Sequence, residues 1–153
     1  MPLFRVERRV RHRAAEMFDL VADVERYPEF VPLCKALKVR ARKQDGDGRE
    51  TLVADMTVGY KLIRETFTSR VTLDRRHLNV RVEYIDGPFS RLENVWSFKD
   101  EAVGEGSRVS FFIDYEFKSG KLGALMGAMF DAAFRKFASA FERRADAIYG
   151  RAS

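Results

Sequence analysis

The amino-acid sequence predicts an α+β fold in which a curved, mainly antiparallel sheet of seven strands surrounds a long C-terminal helix. Apolar and polar residues alternate in seven separate segments, which is the period of half-buried strands. From Ser119 to Gly150, apolar residues instead recur at spacings of three and four without a proline, which is the period of a helix. A chain of 153 residues has the length of one domain, and we predict a single domain over residues 1–153.

The N-terminal segment is predicted to contain the first strand and two short helices. Alternating apolar and charged residues predict a strand at about 3–10, and an apolar helical face predicts a first helix over about 14–23. A second short helix is predicted at about 27–30. Pro28 would occupy its first turn, where a missing N–H costs nothing, and Pro32 would mark its exit.

Six further strands follow at hairpin spacing. Turn residues separate them at Asp45 to Gly48, Asp86 to Pro88 and Gly104 to Ser107. Strands joined in this way should form a mainly antiparallel sheet with both helical regions on its apolar face, and a strongly curved sheet can leave a void beneath the long helix. The six strands are predicted at about 36–43, 52–58, 63–73, 78–84, 92–98 and 109–117.

The C-terminal helix carries its own start and stop signals. Ser119 is a suitable N-cap and Gly150 is placed to close the helix, which at about 28 residues would span roughly 42 Å. Three glycines weaken its first turns: Gly120, Gly123 and Gly127. These glycines predict either a movable gate or a close approach of the helix to its neighbours, and the sequence favours neither interpretation.

Composition limits the classes of site that the chain can hold. One cysteine, Cys34, excludes an intramolecular disulfide, and with only two histidines the chain has no ordinary structural zinc site. The net charge of +5 favours anionic partners such as RNA or acidic lipid headgroups, although a merely solvated surface explains it as well. No signal-peptide core or membrane-spanning run is present in the sequence, so we expect a cytoplasmic protein, with contact at the inner face of the membrane left open.

No constellation for catalysis stands out in the sequence. The strand carboxylates Asp55, Glu65, Asp114 and Glu116 have no spacing that establishes an acid–base pair, and Cys34 has no local histidine or acid to activate it. We therefore predict that the protein is not an enzyme and requires no metal or cofactor.

Two stretches carry a resemblance to a known superfamily: Val24-Glu25-Arg26-Tyr27-Pro28-Glu29-Phe30-Val31-Pro32-Leu33-Cys34 and Gly87-Pro88-Phe89-Ser90-Arg91-Leu92-Glu93-Asn94-Val95-Trp96-Ser97-Phe98. With the order of elements, they make the chain similar, over about 3–149, to the START-like helix-grip superfamily. Within it the chain resembles the polyketide-cyclase-like coenzyme Q-binding branch, which includes mitochondrial ubiquinone chaperones and bacterial ribosome-association toxins. Leu33 departs from the pattern, since an aromatic residue is more usual there.

The resemblance implies an apolar cavity that holds an isoprenoid quinone, with ubiquinone as the expected ligand, and a role in delivering it to the respiratory chain. It also implies an alternative, which is a toxin that binds the large ribosomal subunit and blocks subunit joining. A cyclase-like enzyme is a third hypothesis, since cyclases share this fold. The oligomeric state is not predicted.

Aromatic and methionine side chains are the candidate ligand-binding residues, although each of them can equally be ordinary core. The segment from Tyr27 to Pro32 is either a rim of the cavity or a rigid elbow that turns the chain into the sheet. A cluster of arginines, Arg8, Arg9, Arg11 and Arg13, is the candidate patch for an anionic partner, or else a solvated face. The candidate ligand-binding residues are Tyr27, Phe30, Phe89, Trp96, Phe111, Met126, Met129, Phe130 and Phe134.

Overall fold

The computed structural model describes residues 3–104 and 106–150. Seven strands form one open sheet in the order β1-β7-β6-β5-β4-β3-β2, and every neighbouring pair is antiparallel. The prediction of a mainly antiparallel seven-stranded sheet is confirmed. The strands are β1 Leu3–Val10, β2 Cys34–Gly46, β3 Arg49–Tyr60, β4 Ile63–Asp74, β5 Asn79–Asp86, β6 Phe89–Asp100 and β7 Ser107–Phe117.

Several strands are longer than the alternating pattern predicts. In β2 the pairing with β3 continues past the predicted end at residue 43, through mostly exposed residues to the turn at Asp47 and Gly48. Backbone hydrogen bonds between paired strands stabilise the end of β2 even though its residues do not alternate between apolar and polar. Register shifts in β2, β4 and β6 add local bends to the sheet. The predicted turn at Gly104 to Ser107 includes Glu105, which lies outside the described residues.

The long C-terminal helix, α2, extends over Gly120–Tyr149, as predicted. The Ser119 side chain accepts a hydrogen bond from the Leu122 N–H at 3.2 Å, and Gly150 closes the helix with φ 79°. Both predicted caps are therefore confirmed. The first helix, α1, extends over Ala14–Ala22. It packs against α2 and against β5, β6 and β7, while α2 packs on β1 and β7, so both helices lie on one face of the sheet.

The second short helix begins earlier than predicted. It is a 3₁₀ helix over Val24–Glu29, so the prediction that Pro28 lies in the first turn is wrong. The helix starts early because the Asp23 carbonyl accepts the Arg26 N–H at 3.2 Å. It ends where the N–H groups of Phe30 and Val31 both bond to the Tyr27 carbonyl, at 3.1 and 2.8 Å.

The glycines at the start of α2 have room around them. A Cβ added at Gly120 or Gly127 would meet nothing within 4 Å, and one at Gly123 would lie 3.8 Å from the Phe117 ring, an ordinary contact. The interpretation that these glycines permit close packing is therefore wrong, and their role as a gate stays a prediction. Neither described α-helix has the length and apolar character needed to cross a lipid bilayer.

Candidate functional site

An apolar cavity lies between the inward face of the sheet and α2. Because α2 packs on β1 and β7, the sheet beneath the cavity is mainly that of β2 to β6, and the 3₁₀ helix closes one side. The cavity volume is about 90 Å³. The lumen is therefore narrow. It is lined by Val24, Tyr27, Pro32, Leu33, Leu37, Ala54, Met56, Val58, Phe67, Ser69, Val71, Val82, Phe89, Leu92, Asn94, Trp96, Ile113, Phe130, Ala133, Phe134, Phe137 and Phe141.

The alternation of each strand explains why these side chains meet. In β4, Phe67, Ser69 and Val71 occupy every second position and are buried, and they point to the same face as Leu92, Asn94 and Trp96 of β6. The wall residues that stay half-buried include Pro32, Leu33, Leu37 and Met56. These residues belong to the segment after the 3₁₀ helix and to β2 and β3. Tyr27, Val82, Asn94 and Phe137 are also half-buried wall residues.

Edge-to-face aromatic packing holds the closed side of the cavity. The Trp96 ring lies 4.7 Å from Phe111 and 4.9 Å from Phe141, measured between ring centroids. Phe141 in turn lies 5.3 Å from Tyr27 and 4.9 Å from Phe30. The 3₁₀ helix is therefore fixed against α2 and β6 through aromatic rings rather than through backbone pairing.

None of the described residues that line the wall is Asp, Glu, Lys, Arg or His. Of its polar groups, the Tyr27 hydroxyl donates to the Val21 carbonyl, and the Asn94 side-chain amide donates to the Phe112 carbonyl at 2.8 Å. The Ser69 hydroxyl, on a residue that is only 4% exposed, has no hydrogen-bond partner within the described part of the chain. A buried hydroxyl left unpaired is costly, so Ser69 is the wall group that is ready to bond to a ligand.

Burial also sets the state of the titratable groups near the wall. It raises the pKa of the Tyr27 phenol well above its usual value, and the neighbouring Cys34 and Asp23 act in the same direction. Burial raises the pKa of the Cys34 thiol to about 11. Both groups are neutral at physiological pH, so the cavity presents no charge to a ligand.

Five of the nine candidate ligand-binding residues line the cavity: Tyr27, Phe89, Trp96, Phe130 and Phe134. The other four lie outside its wall. Phe111 and Met126 are fully buried in the core, Met129 is half-buried beside it, and Phe30 packs on the outer side of Tyr27 and Phe141. The segment from Tyr27 to Pro32 supplies two wall residues at its ends, so it is a rim as well as an elbow.

Sequence reasoning missed the wall residues contributed by β2, β3 and β4 and by the residue just before β2. Leu33, which departs from the family pattern, is one of them, and it has a left-handed backbone with φ 66°. Ser69 is another. Its signal was present in the sequence, because it is the one polar residue in the alternating inward series Phe67, Ser69, Val71 and Leu73.

The four strand carboxylates considered in the sequence analysis lie away from the cavity wall. Asp114 and Glu116 both bind Arg91, at 3.1 and 2.8 Å, and Asp55 accepts a hydrogen bond from Thr68. Neither these three residues nor Glu65 lines the wall. No group of three or more His, Cys, Asp or Glu residues suited to a metal ion occurs within residues 3–104 and 106–150.

The arginine cluster near the end of β1 is largely neutralised by ion pairs. Arg8 binds Glu142 at 2.6 Å, Arg9 binds Glu101 at 3.0 Å, and Arg13 binds Asp100 at 3.5 Å. Arg11 is exposed. The patch therefore presents much less free positive charge than its sequence suggests.

Comparison with known proteins gives matches over most of the chain. A family model described as polyketide cyclase / dehydrase and lipid transport matches residues 10–142. The mitochondrial coenzyme Q-binding protein COQ10 homolog B of Xenopus laevis is 35% identical over 139 residues, which cover 89% of this chain and 54% of that protein. The chain thus spans about half the length of this relative. The ribosome association toxin RatA of Pseudomonas aeruginosa is 32% identical over 139 residues, which cover 90% of each chain.

Solved structures show the same architecture. The solution structure of an 18 kDa protein from Caulobacter crescentus matches with a TM-score of 0.79 at 35% identity, covering 98% of this chain and 99% of that one. A START superfamily protein from Mycobacterium smegmatis matches with a TM-score of 0.77 over 95% of this chain and 98% of that one. Its identity is 19%, so this second likeness concerns the fold alone.

Proposed function

The chain belongs to the polyketide cyclase / dehydrase and lipid transport family, within the START-like superfamily, and from this premise we propose that it binds an isoprenoid quinone such as ubiquinone, or a similar lipid, in its apolar cavity. We propose further that it supports delivery of this lipid to the respiratory chain. The observation that carries the proposal is the uncharged, largely apolar wall beneath α2. The similarity to a protein named for coenzyme Q binding supports the choice of ligand.

The narrow lumen suits a slim apolar chain. Burial of apolar groups contributes about 0.8 kcal/mol per methylene, or about 4 kcal/mol for a five-carbon isoprenoid unit. Association costs about 4–15 kcal/mol in lost translational and rotational freedom, so about one to four buried units would be needed to offset this cost. We therefore expect affinity to rise with tail length until the cavity is filled.

Ser69 supplies a polar contact for the head of such a ligand. Its hydroxyl can donate to a carbonyl oxygen, which is the acceptor that a quinone ring carries. The described residues of the wall include no Asp, Glu, Lys, Arg or His, so this site binds the ligand without a chemical step.

Trp96 fluorescence can report ligand binding, because Trp96 is the only tryptophan in the sequence and lines the cavity. A short-tailed ubiquinone should quench Trp96 fluorescence saturably, with one ligand per chain. The variant Ala133→Leu fills the cavity from α2 and should weaken binding by about tenfold or more, a loss of about 1.4 kcal/mol or more. The matched control Ala132→Leu adds the same atoms to the exposed side of the same helix and should bind like the parent.

Two results would contradict the proposal. One is quenching that does not saturate, and the other is equal affinity in a folded Ala133→Leu variant. Circular dichroism of each variant checks that the fold is retained.

A second candidate function is binding to the large ribosomal subunit so that subunit joining is blocked. The similarity to a ribosome association toxin over 90% of each chain favours it. It predicts cosedimentation with large subunits that weakens steeply as salt rises, because phosphate contacts release counterions. If the protein cosediments with large ribosomal subunits and a quinone does not quench Trp96 saturably, ribosome binding would replace quinone binding as the proposed function.

A further inference from the structure

One end of the sheet gathers exposed apolar side chains. At this end β3 turns into β4 through Lys61 and Leu62, β5 turns into β6, and β7 leads into α2. Leu62 is 100% exposed, and Tyr60 beside it is also exposed. Leu125, near the start of α2, is 55% exposed. We refer to Tyr60, Lys61 and Leu62 as the tip. Exposed apolar side chains gathered at one end of a protein, here Tyr60, Leu62 and Leu125, are typical of a contact surface.

Basic side chains surround the tip. Lys35, Lys61, Arg64, Lys118 and Lys121 all lie at this end of the sheet. None of the five forms an ion pair with any residue in 3–104 or 106–150. A Cβ added at Gly59 would lie 3.2 Å from Cγ of both Lys35 and Arg64, so both side-chain stems pass close to Gly59, beside the tip.

Acidic residues at the same end do not cancel this charge. They are Glu65, Asp86 and Glu116, and Glu116 is bound by Arg91 at 2.8 Å. At the opposite end of β1, Arg8, Arg9 and Arg13 are paired with carboxylates and Arg11 is exposed, so the arginine cluster offers less free positive charge than the five basic residues around the tip.

We propose that this end of the molecule docks on an anionic lipid bilayer, with Leu62 entering the headgroup region and the basic side chains meeting lipid phosphates. The combination of groups favours a bilayer over RNA. RNA phosphates would satisfy the lysines, whereas a bilayer also removes a fully exposed leucine from water. Tyr60 is of the type that prefers a membrane interface, with an apolar ring and a polar hydroxyl. Each lysine near an anionic surface strengthens binding by about fivefold.

Docking in this orientation brings the cavity close to the bilayer. The Gly59 N–H, next to the tip, donates to the Leu33 carbonyl at 3.0 Å, and Leu33 is a half-buried residue of the cavity wall. The first turns of α2, with their three glycines, lie at the same end. Loading a lipid from the bilayer rests on the proposed function, but docking itself does not.

Vesicle cosedimentation of the full chain tests the proposal without any quinone. The parent should bind vesicles of phosphatidylcholine with one third phosphatidylglycerol and should bind pure phosphatidylcholine vesicles about tenfold or more weakly. Raising the salt concentration should weaken binding. Leu62→Ser should weaken binding to the anionic vesicles by about threefold to tenfold, because the inserted side chain loses its apolar contact.

A matched control comes from the opposite end of the sheet. Val103 is 90% exposed in the segment between β6 and β7, and Val103→Ser should leave vesicle binding unchanged. The double variant Lys61→Gln/Lys118→Gln should weaken binding by about tenfold or more. All these positions are exposed, so the variants should keep the fold, which circular dichroism can verify.

Three outcomes would overturn the proposal. They are equal binding to neutral and anionic vesicles, equal binding by the parent and Leu62→Ser, and loss of ribosome cosedimentation in the lysine variant with vesicle binding unchanged. Saturable quenching of Trp96 by a quinone in solution is a separate measurement. Failure of docking is therefore distinguishable from failure of the proposed function.

Discussion

The Asp146 carboxylate, near the end of α2, lies 2.6 Å from Nε2 of His12, a residue that follows β1 and is only 4% exposed. The Arg8–Glu142 pair and the contact of Arg144 with Glu29 fasten the same part of the helix. Within the described part of the chain, no ion pair joins residues 120–130 to another element. The helix is therefore anchored to other elements by ion pairs at its C-terminal end, while its glycine-containing first turns have no such anchor among the described residues.

This asymmetry predicts uneven opening of α2. In native-state hydrogen exchange, amides of residues 122–128 should exchange faster than those of residues 136–146 by about tenfold or more, because local opening costs less where fewer contacts must break. Mass spectrometry of peptides from the two halves measures the difference. A quinone in the cavity should slow exchange in the first half preferentially. Equal protection of both halves would contradict a gate at the start of the helix.

Substitution of a single glycine tests the gate directly. Gly127→Ala should raise the free energy of unfolding by about 0.5–1 kcal/mol, because the added methyl group meets open space and alanine is the better helix former. It should also slow the release of a bound quinone, measured by the recovery of Trp96 fluorescence after dilution. A stabilised variant with unchanged release would separate helix stability from gating and contradict the gate.

Gly87→Ala should destabilise the protein, in contrast to Gly127→Ala. Gly87 has φ 145°, and a Cβ there would lie 2.5 Å from Cβ of Phe67, so the substitution should lower the free energy of unfolding. Chemical denaturation of both glycine variants provides the comparison. A stable Gly87→Ala variant would contradict the close approach of Gly87 to β4.

Ser69 offers a test of how the ligand is oriented. Ser69→Ala removes a buried hydroxyl with no partner in the described chain, so the fold should be unaffected or slightly more stable. If the hydroxyl binds a quinone carbonyl, affinity for ubiquinone should fall by about twofold to tenfold, as expected for about 0.5–1.5 kcal/mol. Affinity for an isoprenoid hydrocarbon of the same length should not change.

The control for this variant is Ser107→Ala. Ser107 is also buried with no partner in the described chain, but it does not line the cavity. It should leave both affinities unchanged. Equal affinity of Ser69→Ala and the parent for ubiquinone would show that the head of the ligand is held elsewhere.

Sequence periodicity predicted the elements better than it predicted the site. Alternation in the last strand is continuous from Val109 to Phe117, and β7 ends as predicted. The 3₁₀ helix has no such pattern. Its start depends on a backbone bond from Arg26 to Asp23, and its position depends on Tyr27 packing against Phe141, a residue remote in sequence.

The sequence predicted only part of the cavity wall, because an inward-facing residue lines the cavity only where its strand lies far enough from α2. Phe111 and Met56 are both apolar residues that face inward, yet only Met56 lines the cavity. Phe111 lies on β7, where α2 packs closely and its ring meets Phe137 at 5.9 Å, so the space there is filled. Whether an inward residue borders a void depends on the distance from each strand to α2, and periodicity contains no information about that distance.

The raised pKa of Cys34 gives a prediction with a defined pH dependence. The thiol lies at the start of β2, is buried, and bonds to the Ala36 carbonyl. Burial raises its pKa from 9.0 to about 11, so at pH 8 the thiolate fraction in the native protein is about a hundredth of that in the unfolded chain. The neutral thiol contributes stability below pH 9, and this contribution is lost as pH rises toward 11.

Alkylation with iodoacetamide, followed by mass spectrometry, measures this effect. The native rate should be about a hundredfold or more below that of the chain in denaturant at pH 8. It should keep rising tenfold per pH unit up to about pH 11, whereas the rate of the unfolded chain should level off above pH 9. Steric shielding alone would slow the reaction without moving the pH at which the rate levels off, so a native plateau near pH 9 would contradict the raised pKa.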